Sequence, residues 1–196
     1  MINWFINNSI ITGVITTLLM WLDWILTVAQ EKERKEHYYK HYESYPINTI
    51  EGNHLVRKDI EKLKIIDTKH ILFAILIGIF ISIYIPKLPI AASKFFIGFV
   101  WGLFLVVITQ HISNLISYKL SRKGIHGKIF MHLRTGYYIQ SARYFSIFIF
   151  LLILSILVDN LFLYGVSLAA LFSSLRMFIW LKRIPKIEDS DTAPKN

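Results

Sequence analysis

Long apolar blocks alternate with short polar ones along the chain. Trp4 to Ala29 carries one charge, Asp23. Ile71 to Ile85 is uniformly apolar and ends at Pro86. Phe95 to Tyr118 contains no Asp, Glu, Lys or Arg. Tyr144 to Val158 runs up to the polar pair Asp159–Asn160, and Leu161 to Leu181 carries only Arg176. A bilayer core about 30 Å thick is crossed by roughly 20 apolar residues of helix. The pattern therefore predicts five transmembrane helices, over about 4–29, 69–86, 95–118, 143–158 and 161–181, with Thr68 as a candidate cap for the second. A single helix over 144–181 would be about 57 Å long at 1.5 Å per residue, nearly two bilayers, and Asp159–Asn160 supplies the polar turn of a tight hairpin instead.

The segments between the spans have a pattern of their own. Glu31 to Tyr45 lacks Gly and Pro, and Glu31/Lys35 and Glu36/Lys40 are i,i+4 pairs in the favoured order. The first helix is expected to continue to about Tyr45, where Pro46 stops it. Residues 47–53 read as a turn, with Asn53 as the N-cap of a second helix whose Val56, Ile60, Leu63 and Ile66 share one face. Together they predict a helical hairpin over 30–68. Residues 119–143 hold three glycines and six basic residues and predict a short interfacial helix. The last thirteen residues, 184–196, are polar with two prolines and read as a disordered tail behind a single transmembrane domain, 1–183. Helices two–three and four–five form two hairpins of one orientation, but their residues match too poorly to indicate an internal repeat.

Composition agrees with the pattern. Of 196 residues, 54% are hydrophobic and 18% charged, against about 45–50% and 25% in soluble domains. That excludes a soluble globular domain, a disordered chain and a fibrous protein. The absence of cysteine excludes disulfides, thiolate metal sites and a cysteine nucleophile. The net charge of +9 is placed by topology. Nine Lys and Arg fall in 30–69, six in 119–143 and four after Leu181, whereas the opposite loops hold only Lys87 and Lys94. Positive residues stay in the cytoplasm, so the N-terminus is expected outside and the C-terminus inside. The basic segments then face anionic lipid headgroups rather than nucleic acid. The first helix has no basic residue before it and no small-x-small cleavage site, and reads as a retained span rather than a signal peptide.

Polar groups at membrane depth are costly and mark candidate function. On the first helix Ser9, Thr12, Thr16, Asp23, Thr27 and Gln30 fall within about 40° of one direction at 100° per residue. On the third, Gly98, Gly102, Thr109 and Ser113 make a small-residue face, and Gln110, His111, Asn114 and Ser117 cover an adjoining arc. Arg176 lies in the last helix at a depth matching Asp23 and His111, and its alternatives are snorkelling to the headgroups or pairing with Asp23. With Asn48, Glu51 and Asn53 of the connecting turn, these groups predict a polar cavity facing the cytoplasm.

No His-Glu-x-x-His, Gly-x-Ser-x-Gly or Walker sequence occurs, no spacing supports a metal site, and no cofactor is implied. Two functional classes remain, with a scaffold or assembly subunit as a third. One is a channel or secondary carrier for an ion or small solute, in the plasma membrane, with a homo-oligomer to enclose a pore. Its path is Thr12, Thr16, Asp23, Thr27, Gln110, His111, Asn114 and Arg176. The other is a membrane enzyme on a lipid-linked substrate, with Asp23 or His111 as general base and Arg176 or Arg143 as headgroup clamp. Polar residues confined to one leaflet favour the enzyme. Ser9, Thr12 and Thr16 in the outer half favour conduction.

Overall fold

The computed structural model describes residues 2–40, 42–45, 57–124, 127, 129–182 and 184. Asn48, Glu51, Asn53 and the tail beyond 184 lie outside them. A short helix α1 (Ile2–Asn7) leads into α2 (Ser9–Glu36). A 3-10 turn (Tyr38–Lys40), a strand β1 (Tyr42–Tyr45) and a short helix α3 (Arg57–Glu61) follow. Then come α4 (Thr68–Tyr84), α5 (Ile90–Gly124), β2 (Ile129–His132), α6 (Leu133–Val158) and α7 (Leu161–Leu181). Five helices are long and apolar enough to cross a membrane: α2, α4 with its 3-10 extension to Lys87, α5, α6 and α7.

The five pack side by side in the order α4, α2, α5, α7, α6, each mainly against its neighbours in that row. Antiparallel pairs form the two ends. Thr17 of α2 donates to the Ala74 carbonyl of α4, and Ser141 of α6 to the Ser174 carbonyl of α7. The middle is parallel. Thr16, Thr27 and Gln30 of α2 meet Trp101, His111 and Tyr118 of α5 in that order. Beyond the helix ends the parallel course continues as strand pairing, with Tyr42 opposite Ile129 and Tyr45 opposite His132. The outward faces stay apolar and exposed, for example Leu72, Phe73, Leu76 and Phe80 on α4 and Phe150, Ile153 and Leu157 on α6. In water such faces would be strongly unfavourable.

Close approach in the row depends on glycine. A Cβ on Gly165 would collide with the backbone of Phe95 and Phe99, and one on Gly98 with the Phe162 carbonyl. The Gly98/Gly102 face expected for helix contact thus docks α5 on α7. Its continuation, Thr109 and Ser113, is exposed. The α2–α4 contact uses a glycine pair, Gly13 and Gly78, that neither periodicity nor spacing singled out.

The connections depart from expectation in four places. The first helix stops at Glu36 rather than Tyr45, and residues 42–45 are a strand. The stretch from His37 to Tyr45 carries four tyrosines, which favour extended backbone, and strand pairing outweighs the i,i+4 pair Glu36/Lys40. Of the helix expected over 54–66, residues 54–56 lie outside the described residues, and the rest is helical only over Arg57–Glu61, ending before Leu63 at φ 54°. Asp67, not Thr68, caps α4 by accepting from the His70 amide. The fourth span begins at Leu133, ten residues before the expected start at 143, capped by His132. Asp159 and Asn160 do make the expected turn: Asp159 is left-handed (φ 47°), and Asn160 accepts from the Phe162 amide.

Segment 57–67 is fastened to α2. Trp24 Nε1 donates to the carbonyls of Lys64 and Ile65 at 3.1 Å, Lys35 Nζ to that of Glu61 at 2.7 Å, and Ile60 is buried against Trp24 and Val28. Lys64 Nζ donates to Asp59 Oδ1 at 2.6 Å, a hydrogen bond that holds the Asp59 carboxyl below its ordinary range and the Lys64 ammonium above its own.

Because the Gly165 contact is with backbone, Gly165→Ala is expected to destabilise the folded protein by about 1–3 kcal/mol, as overpacking does. A Cβ on Gly136 would stand 3.7 Å from Met131 Cε, so Gly136→Ala should be neutral or mildly stabilising. Thermal melts in detergent compare the two; equal midpoints would refute the packing argument.

Candidate functional site

Asp23 is two helical turns from Gln30, and Thr27 lies between them on one face of α2. The facing residues of α5 are His111 and Tyr118. Asp23 Oδ1 lies 3.2 Å from His111 Nε2. His111 Nδ1 is 2.6 Å from Gln30 Oε1, and Gln30 Nε2 donates to the Tyr118 hydroxyl at 3.2 Å. Tyr118 in turn stacks on Tyr38, with ring centroids 3.9 Å apart. A chain of polar contacts thus runs from Asp23 along the α2–α5 seam to the helix ends that carry most of the Lys and Arg.

The donors and acceptors constrain His111. Gln30 Oε1 can only accept, so Nδ1 carries a proton. Nε2 faces both Asp23 Oδ1 and Thr27 Oγ1, the latter at 3.1 Å. The Thr27 hydroxyl has one hydrogen and two acceptors in reach, the Asp23 carbonyl at 2.9 Å and Nε2. If it donates to Nε2, the imidazole is neutral. If it donates to the carbonyl, Nε2 is free to donate, and the ring with both nitrogens protonated is a cation against Asp23. The two forms differ by one proton, and the Thr27 hydroxyl can turn to suit either. Asp23 Oδ1 is shut off from solvent and makes no hydrogen bond of good geometry among the described residues, so its close contact with Nε2 decides its energy.

The remaining candidates divide. Gln110 and Asn114 lie beside His111 on α5, bonded to each other at 2.8 Å and partly exposed. Arg176 does not pair with Asp23. Its guanidinium lies 5.2 Å from the Trp180 ring centroid, and its Nε is buried without a hydrogen-bond partner. Arg176 stands next to Met177, which packs with Tyr144 of α6 in one buried cluster against which Trp180 also rests. Sequence reasoning missed Tyr144, Gln140, Tyr118 and Trp180. A tyrosine in an apolar block carries no signal of its own; only the i,i+4 spacing of Gln140 and Tyr144, bonded at 3.3 Å, was available.

Thr12 and Thr16 do not line an open path. Both are fully buried. Thr12 Oγ1 donates to the Phe5 carbonyl and Thr16 Oγ1 to the Thr12 carbonyl, while Trp101 Nε1 donates to Thr16 Oγ1 at 3.0 Å. Around them Ile6, Ile81, Ile85, Ile97 and Trp101 form an apolar core that fills the other half of the molecule. A groove of about 280 Å³ on that half, beside Gly13, Thr17 and Gly78, is almost wholly apolar and holds none of the ionisable groups.

Comparison with known protein families, with curated proteins and with solved structures finds no match for this chain. Its function has to be read from the site.

Asp23 and His111 are expected to be strongly coupled. In a double-mutant cycle with Asp23→Asn and His111→Gln, measured by thermal unfolding, the interaction should be about 0.5–3 kcal/mol. Asp23→Asn with Arg176→Gln should be additive within about 0.5 kcal/mol. The reverse result would place the ion pair between α2 and α7 instead.

Proposed function

We propose that this protein is an integral membrane carrier of a small solute, coupled to protons through Asp23 and His111, with its site open to the cytoplasm. The single observation that supports this reading is the division of the molecule into two halves. An ionisable chain, Asp23–His111–Gln30–Tyr118, occupies one half; packed apolar side chains close the other around Trp101. A channel needs a path through both halves, and Thr12 and Thr16, the residues that favoured conduction, are spent on backbone bonds and on Trp101. A carrier needs only one half open at a time, with a group at the midpoint that changes charge when it loads. His111 against Asp23 is such a group.

The orientation rests on charge. The open half is at the helix ends rich in Lys and Arg, which the positive-inside rule assigns to the cytoplasm. In a plasma membrane those residues would meet anionic headgroups. The row leaves α4 and α6 as free edges, which a second copy in a homo-oligomer could cover. One observation favours an enzyme on a lipid-linked substrate instead: the ionisable groups Asp23, His111 and Arg176 within the spans stand in a single half.

Two measurements test the reading. Ala92 and Lys123 are exposed at opposite ends of α5, and the chain has no native cysteine. In sealed vesicles of right-side-out orientation, Ala92→Cys should react with an impermeant thiol reagent from outside, and Lys123→Cys and Asn114→Cys only after permeabilisation. The opposite pattern would turn the site outward. In proteoliposomes, a pH gradient should drive solute uptake that Asp23→Asn and His111→Gln uncouple while insertion is kept. Lipid turnover without solute movement would make the protein an enzyme.

A further inference from the structure

Arg176 is the one described cation whose guanidinium Nε is buried at membrane depth without a hydrogen bond, and its surroundings are built to receive a negative charge. Trp180 lies one helical turn away with the guanidinium 5.2 Å from its ring, which restrains the cation without consuming any N–H donor. Tyr144 is 1% exposed, so its hydroxyl is held in a fixed place. That hydroxyl accepts from Gln140 Nε2, and its own hydrogen has no acceptor among the described residues. Val106, Ala170 and Met177 pack around the tyrosine and keep the wall apolar. Two donors, Arg176 Nε and Tyr144 O–H, are thus present on adjacent helices with nothing to receive them. Met177, next to Arg176 in the chain, and Trp180 pack with Tyr144 in one cluster, which brings the two donors together, while the Asp23 carboxylate faces His111 Nε2 at 3.2 Å instead.

We infer that Arg176 and Tyr144 form an anion subsite between α6 and α7, with Trp180 positioning the guanidinium, for a ligand carrying a phosphate or carboxylate group. A planar guanidinium recognises two oxygens of such a group at once, and the phenol hydrogen supplies a further contact. The inference deepens the carrier reading and rests on it for one point only, that the bound anion is the solute carried with the proton. A phosphate could equally arrive as the headgroup of an anionic lipid. The chemistry of capture is the same, and experiment separates the two sources.

The test measures binding rather than transport, so its failure is distinct from failure of the carrier reading. The purified full chain is melted in neutral detergent while inorganic phosphate replaces chloride at constant ionic strength, and again in nanodiscs of phosphatidylcholine with or without phosphatidic acid. Wild type should show a saturable rise in melting temperature with phosphate. Arg176→Gln should abolish it. Arg176→Lys, which keeps the charge but loses the planar fork, and Tyr144→Phe, which loses one donor, should each weaken apparent affinity tenfold or more. If Arg176→Gln does not fold, the last two variants decide. A rise with phosphatidic acid but not with free phosphate, still lost in the variants, assigns the subsite to a lipid headgroup. No rise with either probe, or a rise that persists in Arg176→Lys and Tyr144→Phe, overturns the subsite and leaves Arg176 as a cation resting on Trp180 alone.

Discussion

A carboxylate cannot stand alone at membrane depth, and the arrangement of the half that holds Asp23 follows from that constraint. Insertion of an aspartate at the centre of a spanning helix costs about 2.5–3.5 kcal/mol, so Asp23 has to find a partner on a neighbour. The partner is His111. Because it lies on α5, the contact holds α2 and α5 parallel and level, and with them Gln30 against His111 and Tyr118. The α5–α7 contact then brings Arg176 and Trp180 to the same level, through glycines that let the backbones touch.

A second buried carboxylate shows the same rule nearer the helix end. Glu31 is fully buried, yet Arg34 grips both its oxygens at 2.8 and 2.9 Å and Lys35 stands 3.6 Å away. Full local pairing makes Glu31 a structural anchor, since removal of a cation would strand it. The Asp23 carboxylate faces one imidazole, with His111 Nε2 3.2 Å from its Oδ1. The difference between the two carboxylates is the number of fixed charges around them: two cations at Glu31, none within ion-pair distance at Asp23 among the described residues.

Much of the fold was legible because hydrophobic run length is a strong signal in a membrane-type sequence. The five apolar helices and the Asp159–Asn160 turn could be read from residue type alone. Asp23, Thr27, Gln30 and His111 could be placed on their faces by helical angle. What angle cannot supply is which helix stands next to which. Asp23 and Arg176 matched in depth, but α5 lies between α2 and α7, so the nearer His111 takes the carboxylate. The strand pair was invisible for a related reason: each strand is four residues long, and only its partner far along the chain makes it a strand. Thr12 and Thr16 bond to carbonyls and to Trp101; a polar stripe records hydrogen-bonding capacity without saying whether water or a carbonyl uses it.

The parallel seam between the two central helices and the parallel strand pair beyond it share nearly one sequence spacing. Thr27 meets His111 84 residues on, Thr16 meets Trp101 85 on, and Gln30 meets Tyr118 88 on. Tyr42 and Tyr45 meet residues 87 further along. The two arms, α2 with β1 and α5 with β2, are therefore matched in length, like two rails fixed at both ends. A residue inserted in either connection, between α2 and β1 or between α5 and β2, would have to be absorbed by slipping the strands or twisting the seam. A one-residue slip turns every strand side chain to the other face. Length variation should accordingly be avoided in the two arms, unless both change together.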